Sequence, residues 1–70
     1  MDDANLLDRW PGGWRRAATI CVIYGVHGVL SDRERRFARN LLSFPRISPK
    51  QRAVLTRLLS IVVAAREQTS

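Results

Sequence analysis

Two short phrases constrain this chain more than anything else in it. "LSDRE" at residues 30–34 and "ISPKQ" at 47–51 each place an apolar residue, then Ser, then Glu or Gln three positions on. A Ser at a helix cap accepts from the N–H at the third helical position, and a Glu or Gln there reaches back to the cap's own N–H. Each such start contributes about 1 kcal/mol. The second phrase adds Pro49 at the first helical position, where the N–H it lacks would have had no intrahelical partner. The pattern continues past the caps, because Phe37, Leu41 and Leu42 stand at the same offsets from Ser31 as Val54, Leu58 and Leu59 from Ser48. Two amphipathic helices follow, over 32–43 and 49–66, with Ala38 and Leu55 filling in their apolar faces.

"SFPRI" at 43–47 joins them. Phe44 precedes Pro45 and is pushed out of the helical region. A connection of four or five residues is short enough to fold the two helices against each other.

Upstream, "AATICVIYGVHGVL" at 17–30 is the longest apolar stretch. Its 14 residues fall short of the roughly 20 that cross a bilayer. β-branched residues leave a strand as the alternative, but the length without alternation favours a helix over about 14–27. Helical spacing puts Trp14, Ala17, Ala18, Cys21 and Gly25 in one stripe narrow enough for another helix to approach closely. Gly25 and Gly28 offer its stop. Pro11, Gly12 and Gly13 interrupt regular structure before it. Residues 1–13 read as partly irregular, with room for a short extra helix presenting Leu6, Leu7 and Trp10 on one side, and 67–70 read as a frayed tail. The expected architecture is therefore all-α, one small domain of three helices spanning 1–70.

Charge narrows the function. Twelve basic residues stand against six acidic ones, and from Arg9 onward the acids are only Asp32, Glu34 and Glu67. Eleven of the twelve are Arg, whose planar fork suits phosphate and carboxylate. The expected partner is nucleic acid or an acidic protein surface. On the first view the start of the third helix enters the major groove with Lys50 and Arg52, then Thr56 and Arg57, while Arg35, Arg36 and Arg39 meet phosphates and Arg46 stands on the connection. Gln51 would face bases too if it did not close the cap. On the second view the same arginines meet an acidic surface of a host complex, as an inhibitor or adaptor would, with Trp10, Trp14 or Tyr24 as aromatic anchors.

Catalysis finds no footing. His27 has no companions at triad-like spacing, Cys21 reads as a small core residue, and Ser31 and Ser48 are caps rather than nucleophiles. One Cys and one His exclude a disulfide and make a Cys/His metal site implausible. The expectation is no enzyme activity, no cofactor, no metal and no small-molecule substrate. A single cysteine and an acidic N-terminus fit a cytoplasmic protein away from membranes. The apolar excess around Trp10, Trp14 and the first helix suggests a homodimer.

"LSDRERRFARNLL" at 30–42 resembles the opening of LuxR-type helix-turn-helix domains, but the Gly-containing turn and the "S-x-K-T-V" helix of that family are absent. The wider pattern "LS..E..F...L......SPKQ...L..L" over 30–59 resembles a segment of small uncharacterised proteins of bacterial mobile elements and phages. That resemblance implies a bacterial, mobile-element setting and assigns no functional residue. A basic, non-enzymatic helical protein that contacts DNA, as a regulator or accessory factor of a mobile element, is the leading expectation.

Overall fold

The computed structural model describes residues 6–69 as three helices and no strand: α1 Gly13–Tyr24, α2 Asp32–Leu41 and α3 Pro49–Thr69. Both capping boxes are present. The Glu34 N–H donates to Ser31 Oγ at 3.2 Å, and the Ser31 N–H to Glu34 Oε1 at 2.9 Å. At the second start the Gln51 N–H donates to Ser48 Oγ at 3.1 Å, and the Ser48 N–H to Gln51 Oε1 at 2.8 Å.

The boundaries depart from expectation by a few residues, each for a local reason. α1 stops at Tyr24 rather than near 27, because the Gly25 N–H already closes on the Cys21 carbonyl at 2.9 Å and the chain turns at once, Leu30 N–H meeting the Gly25 carbonyl at 3.1 Å. A Cβ at position 25 would lie 2.4 Å from the Cys21 carbonyl oxygen and 2.8 Å from Leu30 Cδ1, so only glycine fits this corner unchanged. His27, exposed in the turn, takes a positive φ of 59°. α2 ends at Leu41, where the Ser43 and Phe44 N–H groups bond back to Asn40 and Leu41 in a loose turn. The connection is consequently seven residues, 42–48. α3 runs on through Thr69, so the tail expected to fray at 67 is helical to that point and only Ser70 lies outside the described residues at that end.

The extra N-terminal helix does not form among residues 6–12, which are turns; residues 1–5 lie outside the description. Leu7 nevertheless reaches the core, and Leu6 and Trp10 pack against it. Gly12 caps the start of α1 with φ 89°, a conformation for which a side chain is strained.

The core gathers Leu7, Ala17, Ala18, Cys21, Leu30, Ala38, Leu41, Leu55, Leu58, Leu59 and Val62, all 4% exposed or less. Each buried Leu contributes roughly 2 kcal/mol. The expected small stripe of α1 is fully buried at Ala17, Ala18 and Cys21. That allows close approach and makes α1 the shared support: α2 and α3 each pack chiefly on α1, and their backbones meet each other far less. The two capped helices are thus not folded face to face as the short connection suggested. α1 keeps an exposed side as well, where Ile23 is 56% exposed.

Candidate partner interface

The basic residues singled out from the sequence fall into separate groups. Arg35, Arg36 and Arg39 come together, lining one concavity of about 250 Å³ with Val22 of α1 and Asp32. Helical spacing explains this. Ala38 and Leu41 turn α2's apolar side inward, and Arg36 and Arg39 stand on the exposed side opposite them. Arg35 lies on the flank toward α1, and its Nε is buried without a hydrogen-bond partner among the described residues. Asp32 is the one carboxylate in this group, at α2's first turn, where the helix dipole favours it.

Lys50, Arg52 and Arg57 belong to α3 and stand apart from that group. Arg52 and Arg57 line a shallow trough of about 570 Å³ on α3 with Ala53 and Ser60. Lys50 is exposed in α3's first turn, and Arg46 is exposed on the connection. Among the described residues neither Arg46, Lys50, Arg57 nor the three arginines of the first concavity form an ion pair; Arg52 does, with Asp8.

The base-reading set expected at the start of α3 is largely engaged elsewhere. Gln51 closes its capping box. Arg52 holds Asp8. Thr56, expected on the exposed side, is only 7% exposed and donates to the Arg52 carbonyl at 2.8 Å. A hydroxyl bonded back to its own helix is poorly placed to read an edge of DNA. Lys50 and Arg57 remain free to contact a partner.

The aromatic anchors also shift role. Trp10 and Trp14 are half-buried against the core rather than projecting. Tyr24 is exposed, with the Arg66 guanidinium 4.2 Å from its ring centre. The large apolar side chains left exposed are Ile23, Tyr24, Phe44, Val54 and Ile61. Val54 was expected to face the core. It sits instead at the edge of a second groove, between α2 and α3, of about 210 Å³ and lined by Arg33, Glu34, Phe37, Val54, Arg57 and Leu58.

One working arginine escaped the sequence reading. Arg15 donates from Nη1 to the Leu42 carbonyl at 3.2 Å and from Nη2 to the Phe44 carbonyl at 2.8 Å, and its guanidinium lies 4.7 Å from the Trp14 ring centre. It ties the connection and the end of α2 to α1. A helix end always leaves carbonyls seeking donors, which is a signal, but the sequence does not say which cation answers.

Two groups titrate away from their ordinary values. Glu34 is held below the usual carboxylate range, first by the Ser31 backbone N–H, then by the Ser31 hydroxyl and the nearby Arg57 charge. Burial pushes the Cys21 thiol up to about 11, so it is a neutral core atom near pH 7 and a poor nucleophile. Among the described residues no group of three or more His, Cys, Asp or Glu could hold a metal ion, and no helix is long and apolar enough to cross a membrane. Comparison with known proteins brings no match: no family model, curated protein or solved structure is similar to this chain.

Proposed function

We propose that this is a non-enzymatic helical binding protein that grips DNA along its phosphate backbone, without reading base sequence. The observation that carries the reading is the arginine group of α2: three guanidiniums share one concavity, none is ion-paired among the described residues, and a single carboxylate accompanies them. Arginine forks match phosphate oxygens in pairs. The engagement of Gln51, Arg52 and Thr56 within the protein supports backbone contact over base contact. A homodimer would set a second arginine group on the same duplex, and a regulator or accessory factor of a mobile element is a role such a protein could fill.

Titration of a labelled duplex across salt concentrations tests this. Each phosphate contact steepens the log–log salt dependence by about 0.9. Arg36→Glu with Arg39→Glu is expected to lower affinity about tenfold or more and to reduce the slope by about 2, equally for unrelated duplex sequences. Sedimentation of the complex gives its stoichiometry. Binding that is absent, insensitive to salt or unchanged in the double variant removes the proposal, and strong preference for one duplex sequence removes the backbone-only form of it.

A further inference from the structure

α3 is apolar on more sides than the core uses. Leu55, Leu58, Leu59 and Val62 are buried on α1's side. Val54, 39% exposed, stands one turn before Leu58 on the border facing α2, whereas Ile61, 36% exposed, lies in the neighbouring trough with Arg57 and Ser60. Across from Val54 and Leu58, Phe37, half-buried on α2, completes the lining of the groove. Arg33 on α2 and Arg57 on α3 line it as well, and neither is ion-paired among the described residues. The only acid in the groove is Glu34, whose carboxylate already accepts the Ser31 N–H. The result is an apolar slot between two helices, bordered by two arginines that form no ion pair among the described residues, with Arg57 near enough to Glu34 to lower its carboxyl.

We infer that this slot docks an amphipathic helix of another protein, with apolar residues at i, i+4 and i+7 and Asp or Glu on their flanks. A helix laid in a groove is read through that spacing. The border charges then select the flanks, since opposite charges across an interface steer and discriminate. A second copy of this chain fits poorly. It carries a net charge of +6, and the acids of its described helices are Asp32, Glu34 and Glu67 alone, too few to answer the arginines of a copy. Nucleic acid fits poorly too, because its phosphates would meet the two border arginines and leave the hydrocarbon floor of the slot uncovered. This surface lies on the opposite flank of α2 from Arg35, so it stands whether or not the DNA reading holds.

The test uses a fluorescein-labelled peptide of about 18 residues with leucines at the stated spacing and glutamates beside them, and a twin carrying lysines in place of the glutamates. Anisotropy with the full chain is expected to show saturable binding of the acidic peptide and none of the basic one. Val54→Glu, at a position already exposed, is expected to weaken binding about tenfold or more while leaving the helical circular dichroism intact, and Arg33→Glu to weaken it about fivefold. Equal binding of both peptides, no binding of the acidic one up to about 1 mM, or an unaltered affinity in Val54→Glu would overturn the inference. So would displacement of the peptide by duplex DNA. A dimer of the full chain that Val54→Glu dissociates without any peptide would overturn it in favour of a second copy.

Discussion

α2 and α3 begin with the same hydrogen-bonded box and end up doing different work. α2 is ten residues long, sharply two-sided, and turns arginines outward; α3 is twenty-one residues long and leaves apolar side chains on a face the core does not use. A cap determines where a helix starts. What the helix then does depends on how much of its circumference the rest of the chain can cover, and among the described helices α1 is the one that covers both. The shorter helix is satisfied by that arrangement, and the longer one keeps a surplus.

The contrast breaks most visibly by truncating α3 on its two sides. Leu59→Ala, fully buried, is expected to cost about 3 kcal/mol in urea unfolding, whereas Ile61→Ala, two residues away on the exposed side, should cost under about 1 kcal/mol. Comparable losses would mean that both faces of α3 serve the core. Arg15→Ala should come next, at about 1–2 kcal/mol, since it leaves the Leu42 and Phe44 carbonyls without their charged donor. Arg15→Lys should recover only part of this, one ammonium being unable to span both carbonyls as the fork does.

Ser31→Ala and Ser48→Ala should each cost about 1 kcal/mol. The smallest effect distinguishes the two starts most cleanly, because one box is closed by an acid and the other by an amide. Glu34 has its carboxyl lowered from 4.5 in the folded chain, so its contribution is present above that value and is lost as pH falls through the depressed folded one. Gln51 does not titrate. The Ser31 N–H, which donates to the Glu34 carboxylate, should therefore lose protection against exchange on acidification, relative to its intrinsic rate at each pH, while the Ser48 N–H, which donates to the Gln51 amide oxygen, should not follow a carboxyl titration. Parallel behaviour at both amides would show that acid loosens the whole fold rather than the start of α2.

Much of the architecture was legible because capping and periodicity are local. Ser31, Ser48, Pro49 and the offsets to Phe37 and Leu58 were enough to place two helices, and the small stripe of Ala17, Ala18 and Cys21 announced a close approach. What the offsets could not give was the direction in which α3 rotates about its own axis. Val54 and Phe37 occupy equivalent places after their serines, yet Phe37 is partly covered and Val54 is exposed, since the two helices meet α1 rather than mirror one another. The candidate site was less legible for a related reason. The arginines were all visible, but which of them share a concavity, which holds Asp8 and which ties down a helix end depends on neighbours distant in sequence.

Because α2 and α3 lean on α1 more than on each other, the protein has one keystone and two arms. Removing residues 1–24 should leave the arms with no fold of their own, however well each is capped. Paired changes on the outward sides of the two arms should simply add, while either arm should show strong energetic coupling to the alanines of the keystone.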